Sequence, residues 1–134
     1  MNNASLARSL RTIVADCGYD CVCGDKKRMA AMLPALPAAW LDTPQLHSVE
    51  GRNSGRITYD VVLHLMDAAA DLSPEKRQQR LDQMEKDMLK IFTLLSEDKY
   101  VTAVTDLTVT PASFSLTNRG EVSQTARARV ITWF

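Results

Sequence analysis

The chain has 134 residues, 46% of them hydrophobic and 24% charged, a composition typical of a globular domain that buries its own hydrophobic core. Its 16 basic residues balance its 16 acidic residues, so no net charge favours nucleic acid or an anionic membrane as a partner. No apolar run approaches the roughly 20 residues of a membrane-spanning helix, and the first ten residues lack a secretory signal pattern. We therefore expect one domain, residues 1–134, kept in the cytoplasm with reduced thiols.

An amphipathic helix is the first predicted element. Apolar residues recur at helical spacing at Leu6, Leu10, Ile13, Val14 and Cys17. Asn3 or Ser5 is the predicted N-cap, and Gly18 ends the helix. The following "YDCVC" is predicted to form a short strand. The next stretch, "MLPALPAAWLDTPQL", holds three of the five prolines and is predicted to be extended and irregular.

A β-hairpin is predicted next. The segments "QLHSVEG" and "RITYDVVLHLM" flank "RNSG", whose Asn53, Ser54 and Gly55 favour a turn. One face of the second strand is apolar and carries Ile57, Tyr59, Val61, Leu63 and Leu65. The other face is mixed and carries Thr58, Asp60, Val62, His64 and Met66. The mixed face is typical of a sheet whose second side is partly covered.

A long helix and a β-rich tail complete the predicted elements. Ser73, Pro74 and Glu75 favour a helix start. The apolar stripe that follows, through about residue 96, consists of Leu81, Met84, Met88, Ile91 and Leu95, widened by Leu89 and Phe92. The tail is predicted to form strands on either side of a "TNRG" turn. The order of elements predicts an α+β fold: a mostly antiparallel sheet with an N-terminal helix and one long helix packed on it.

Three closely spaced cysteines raise the question of a metal site. A strand would place Cys21 and Cys23 on one face near Cys17, and His47 or His64 could supply a fourth zinc ligand. No C-x-x-C pair is present, and cysteine is among the residues most often buried. We expect buried thiols with no metal and no cofactor. A small zinc-binding protein built on the three cysteines is the less favoured alternative.

The sequence contains no constellation typical of catalysis. The serine of "GRNSG" stands one position late for a nucleophile elbow, and the motif lacks the lysine of a phosphate-binding loop. Carboxylates on the long helix alternate with lysine and arginine, as on a solvated helix face. His64, mid-strand among apolar residues, is predicted to be a hydrogen-bonded structural residue. We therefore predict that the protein is not an enzyme.

The order of elements resembles a family of phage proteins. The resemblance rests on the N-terminal helix, "LPALPAAWLDTP" before a strand, the hairpin ending in "YDVVLHLMD", the helix opening at "LSPEKRQQRL" and the terminal strands ending in "ARARVITWF". Together, over nearly the whole chain, they resemble the tail-terminator and minor tail proteins of long-tailed bacteriophages. The resemblance implies a structural subunit that assembles with itself, commonly as a hexameric ring, on the end of the tail tube.

That resemblance also implies partners and a location. The partners would be other copies of the chain, the tail tube protein and the head-tail connector, with no recognition of nucleic acid sequence and no membrane. The protein would belong to a phage or prophage, and would act in the host cytoplasm during assembly and afterwards in the virion tail. A head-completion role stays open. From a different class, the alternative is a generic cytoplasmic α+β module that binds a protein or a ligand.

A ring requires two different complementary patches on each subunit. On the last strand Val122, Gln124, Ala126, Ala128, Val130, Thr132 and Phe134 share one face, and Arg127, Arg129, Ile131 and Trp133 the other. The second set is the first candidate patch, because arginine and tryptophan are enriched in interface hot spots; the alternative is that Ile131 and Trp133 pack under the long helix. The loop at 67–73 is the second. Arg52 and Arg56 could contact an anion or an acidic surface, and Trp40 is either a core anchor or a partner contact.

Overall fold

The computed structural model describes residues 1–51, 55–112, 115–117 and 119–133. The helices are α1 (Asn3–Asp16), the four-residue α2 (Met29–Met32), which follows a 3-10 turn at Lys26–Arg28, and α3 (Pro74–Ser96). The strands are β1 (Asp20–Gly24), β2 (Ala38–Asp42), β3 (Gln45–Glu50), β4 (Arg56–Ala68), β5 (Val101–Pro111) and β6 (Glu121–Trp133). The predicted α+β fold is confirmed, with α1 and α3 packed on a mostly antiparallel sheet.

The strands form one six-stranded sheet in the order β1-β2-β4-β6-β5, with β3 also paired to β4. Only β1 and β2 run parallel. One edge of β4 is shared, because its residues 63–66 pair with β2 and its residues 56–60 pair with β3. β2 and β3 therefore form a single interrupted strand, broken at Thr43 and Pro44, where the proline lacks the N–H group that a ladder requires.

The long helix and the first helix begin at capped residues. At α3 the Ser73 hydroxyl accepts a hydrogen bond from Lys76 N at 3.3 Å, as predicted. At α1 the cap is Asn2, and not Asn3 or Ser5 as predicted. Its side chain accepts from Ser5 N at 2.8 Å while Ser5 Oγ accepts from Asn2 N at 2.9 Å. This reciprocal capping box satisfies two N–H groups that lack partners within the helix.

The main core lies between these helices and one face of the sheet, which we call the inner face. It contains the predicted apolar face of β4, with Tyr59, Val61, Leu63 and Leu65, and the predicted stripe of α3, with Met84, Met88, Ile91 and Leu95. Phe92 is buried, as predicted, but Leu89 is 48% exposed and does not belong to the buried stripe. It lies at the solvent side of α3.

A second, smaller core lies on the opposite face of the sheet, beneath α2 and the chain that follows it. It consists of Met29, Leu33, Ala38, Trp40 and Met66. The prediction of an irregular path over residues 32–46 is therefore wrong for β2, which is a regular strand buried on both faces. Trp40 is 1% exposed, so it is a core anchor, and the prediction that it contacts a partner is not supported.

Candidate assembly surface

The side of the sheet opposite α1 and α3, here called the outer face, is covered at Ala38, Trp40 and Met66 by the smaller core and is open along β6. Along β6 the inward residues Ala126, Ala128 and Val130 belong to the main core. Because successive side chains of a strand point to opposite faces, the four predicted residues Arg127, Arg129, Ile131 and Trp133 point outward. All are exposed except Ile131, which is half-buried. The alternative, in which Ile131 and Trp133 pack under the long helix, is wrong, because α3 covers the inner face.

Arg56, another predicted contact residue, joins this surface. It pairs with Trp133 across the β4–β6 ladder, and its guanidinium lies 5.9 Å from the centroid of the indole ring. A cation over an aromatic face is held electrostatically at this distance. The structure thus brings Arg56 and Trp133 together at one end of the outer face. Arg52, predicted with them, lies outside the described residues.

Ion pairs and a histidine–carboxylate contact connect four strands across the outer face. Asp60 of β4 lies 3.5 Å from the Arg129 guanidinium and 3.2 Å from His47 Nδ1 of β3. Asp106 of β5 lies 3.4 Å from the same guanidinium. These side chains are well exposed, so each pair adds little to stability. Their effect is to fix the orientation of Arg129, while Arg127 makes no ion pair with any described residue.

Two shallow cavities follow the outer face on either side of Asp60 and Val62, which line both. One has a volume of about 480 Å³ and extends over β5 and β6, to Asp106, Arg127 and Arg129. The other has a volume of about 360 Å³ and extends over β2 and β3, to Asp42, Gln45 and Lys26. The surface is therefore a broad, mixed-charge depression, a shape that suits the surface of another protein better than an enclosed small molecule.

A row of three polar side chains, with the buried His64 at its centre, crosses the sheet beside this depression. His64 is 2% exposed, its Nδ1 lies 2.8 Å from Thr125 Oγ1, and its Nε2 lies 3.5 Å from Asp42 Oδ1. His64 Nε2 and Asp42 Oδ1 have no hydrogen-bond partner among the described residues. His64 and Thr125 are direct cross-strand neighbours in the β4–β6 ladder. His64 is thus buried and hydrogen-bonded, as predicted.

The three cysteines lie at the opposite side of the molecule, against the main core. Cys21 is 8% exposed, and Cys17 and Cys23 are half-buried, so the prediction of buried thiols holds fully for Cys21 alone. Burial raises the pKa of Cys21 to about 12 and raises the pKa values of the other two thiols. Among the described residues, no three His, Cys, Asp or Glu side chains are placed to bind a metal ion.

The second predicted patch, the loop at 67–73, is partly committed to internal contacts. Asp67 forms an ion pair with Arg80 of α3. Ala69 is 2% exposed, and its carbonyl oxygen accepts a hydrogen bond from Arg77 at 3.0 Å. Asp71 is exposed. Ala68, Ala70 and Ser73 are exposed as well, so the loop keeps a small accessible surface.

Sequence reasoning missed Asp60 and Asp106 as members of the surface. Asp60 was assigned to the correct face but not to a role. Asp106 adopts φ 55°, within the left-handed region, at a bulge where β5 shifts register against β6. Aspartate tolerates this conformation better than most residues. The aspartate of "TDLT", which interrupts a threonine-rich strand, is therefore the sequence feature that indicates a bulge here.

Comparison of the chain with protein-family models finds no family that matches, and comparison with curated proteins finds no match either. In the part of the chain that the structure describes, no helix has the length and apolar character needed to cross a lipid bilayer.

Proposed function

We propose that this protein is a non-catalytic structural subunit of a phage or prophage tail, of the tail-terminator or minor tail type. In this proposal, copies of the chain form a ring, commonly a hexamer in the family that the chain resembles, that caps the tail tube and meets the head-tail connector. The protein acts in the host cytoplasm during assembly and then remains in the virion tail. The observation that carries the proposal is the open part of the outer face along β6, where Arg127, Arg129 and Trp133 are exposed on a strand paired on both sides.

The position of these residues supports a contact surface. β6 is hydrogen-bonded on both sides, to β4 and β5, so the side chains project from the interior of the sheet and not from a loop. A surface held on a rigid element loses little conformational entropy on binding. Exposed tryptophan and arginine are also the side chains that contribute most often to binding hot spots.

The charges of the surface support a protein partner with an acidic group. Arg129 is already shared between Asp60 and Asp106, whereas Arg127, two residues along the same face, has no ion-pair partner among the described residues. An acidic group on a neighbouring copy or on the tube would pair with Arg127 without breaking an existing contact. Such pairing aids orientation and association rate more than final affinity.

The test is a tail-tube capping assay with the Arg127→Glu/Arg129→Glu variant. The tube protein of the phage that encodes this chain is polymerised with increasing amounts of each variant, and tube lengths are measured by electron microscopy. We expect wild-type protein to shorten the tubes and to appear as a ring at their ends. We expect the variant to lose at least tenfold in capping potency, since two attractive charges become repulsive.

The matched control is Lys86→Glu/Lys90→Glu, which reverses two exposed charges on α3, away from the outer face. It should cap tubes as wild type does. Wild-type protein that neither binds nor caps tubes, and that sediments as a subunit without ring assembly at all concentrations, would overturn the proposal.

A binding module for a small ligand is the second candidate function. The observation that favours it is a cavity of about 540 Å³ at the start of α1, lined by Met1, Asn2, Ser5, Ile57 and Tyr100. Its lining is mainly apolar with a few polar groups, as in many ligand sites. Saturable binding of a small apolar fluorophore such as ANS, lost on Ile57→Glu and accompanied by no effect on tubes, would favour this candidate.

A further inference from the structure

β3 forms an open edge of the sheet. Among the described strands it pairs with β4 only, because β1 runs beside β2 and stops short of it. Five of its six residues are exposed, and Ser48 is half-buried. An open edge presents unpaired backbone N–H and C=O groups that readily accept another strand.

This edge has one bulge, at His47, but it lacks the residue types that most often block an open edge. β3 contains no proline and no lysine, and its two apolar side chains are the most exposed large apolar groups on the described strands: Leu46 is 60% exposed and Val49 is 53% exposed. Two other strands lie at edges of the sheet: β1, which among the described strands pairs with β2 only, and β5, which has two register shifts and ends in Pro111. Repeated bulges and proline are common means of preventing edge pairing, and β5 has both.

The side chains of β3 follow a pattern that reads the same in both directions. Leu46 and Val49 face inward, beside the inward residues Tyr59 and Ile57 of β4. The other four residues face outward: Gln45, Ser48 and Glu50 lie beside Asp60, Thr58 and Arg56, and the bulged His47 contacts Asp60. The order along the strand is thus outward, inward, outward, outward, inward, outward. An antiparallel copy of the strand therefore presents its inward and outward side chains in the same order.

We propose that a second copy of this chain pairs with it through β3, antiparallel and about a two-fold axis between His47 and Ser48. In this register Leu46 lies opposite Val49 of the second copy, and Gln45 lies opposite Glu50. Every pair then joins side chains of the same face. The four apolar side chains form one cluster, next to the inner-face cavity lined by Ile57, and the two sheets become continuous.

Charge adds to this register. Glu50 of the second copy arrives beside Gln45, on the outer face, where Gln45 and Lys26 line the same cavity. The two-fold axis repeats this approach of an acidic to a basic group at both ends of the contact. A two-fold contact is closed, so it yields a dimer and not a fibre. The β3 contact does not use Arg127 or Trp133. It is therefore an interface additional to those of the proposed ring, and it does not depend on the ring.

The first test is the mass of the free protein by light scattering coupled to size exclusion, over a concentration series. The chain has a mass of 14.9 kDa, and we expect wild type at twice that mass or at an even multiple of it. The Leu46→Lys/Val49→Lys variant should lose this association and shift at least tenfold in dissociation constant, because the two pairs become like-charge pairs. The control Met32→Lys/Leu89→Lys makes the same change at two other exposed apolar residues and should behave as wild type.

Disulfide trapping tests the register. Oxidised mixtures of the Leu46→Cys and Val49→Cys variants should yield a covalent dimer, since directly opposite residues have Cα separations suited to a disulfide. Leu46→Cys alone should not, because its partner in the second copy is a valine. Both preparations contain the three native cysteines, so a covalent dimer formed through those cysteines would appear in both preparations.

The outcomes separate this inference from the proposed function. A wild-type monomer at every concentration, a lysine variant that associates as wild type does, or polydisperse aggregates in place of a closed species would overturn the β3 contact. A β3-dependent dimer without effect on tail tubes would support the contact and overturn the tail function. If the Leu46→Lys/Val49→Lys variant still forms rings, caps tubes and associates as the wild type does, the result would support the tail function and overturn the β3 contact.

Discussion

Glu121 shows how a single buried carboxylate is stabilised in this protein. It is 4% exposed, and it accepts hydrogen bonds from Ser115 Oγ at 2.6 Å, Leu116 N at 2.7 Å and Thr117 N at 2.8 Å. Burial by itself raises the pKa of Glu121, but the hydrogen bonds from Ser115 and Thr117 outweigh burial, so the pKa is lowered. The charged form therefore holds residues 115–117 against the start of β6.

We predict that Glu121→Gln lowers the free energy of unfolding at pH 7 by about 1–3 kcal/mol, the usual effect of losing charge-assisted hydrogen bonds. The folded-state pKa lies below the unfolded one, so the wild-type advantage is present above the unfolded pKa and is lost as pH falls through the folded pKa. Urea unfolding at pH 7 and near pH 3 measures the difference, with Glu85→Gln on exposed α3 as control. An equal loss at both pH values would contradict this account.

At the scale of elements, α3 is the clearest case of a helix specified by its own sequence. Its cap, first proline and apolar period agree, and the structure begins it at Pro74. We predict that Ser73→Ala costs about 1 kcal/mol of stability, measured by urea unfolding, because Lys76 N loses its acceptor. Ser73→Asp retains an acceptor and should cost much less. A similar loss in both variants would show that the hydroxyl acts in another way.

The pattern of burial on each strand explains which of the other elements the sequence predicts. β4 was predictable because its inner face is covered and its outer face is partly open, so apolar and polar residues alternate. β2 was not, because the helices cover one side and the second core covers the other, and "AAWL" shows no alternation. The predicted face of Arg127, Arg129, Ile131 and Trp133 followed from period two alone. The pairing of Asp60 with Arg129 and the exposure of Leu46 depend on register between distant strands, which the local pattern does not contain.

For the whole molecule, the two cores share one sheet. β2 and β4 contribute Leu41 and Leu63 to the main core and Trp40 and Met66 to the smaller one. Loss of these strands would expose both cores at once. The protein should therefore unfold as a single cooperative unit.

The Trp133→Phe variant tests this cooperativity. The chain has two tryptophans, and this variant keeps only Trp40. Trp40 reports on the smaller core by fluorescence, and far-ultraviolet circular dichroism reports mainly on the helices. We expect the two urea transitions of this variant to coincide within error. Separate midpoints would mean that the smaller core opens before the sheet does.

The central place of β6 has a consequence for biosynthesis. β6 is the last strand in chain order, yet it supplies a hydrogen-bonded neighbour to both β4 and β5. On the ribosome β4 emerges well before β6. The edge of β4 that pairs with β6 therefore stays unpaired, beside the apolar residues of β4, while α3 and β5 are translated. The nascent chain therefore stays prone to wrong strand pairing until β6 leaves the exit tunnel, and chaperone protection is needed most during that interval.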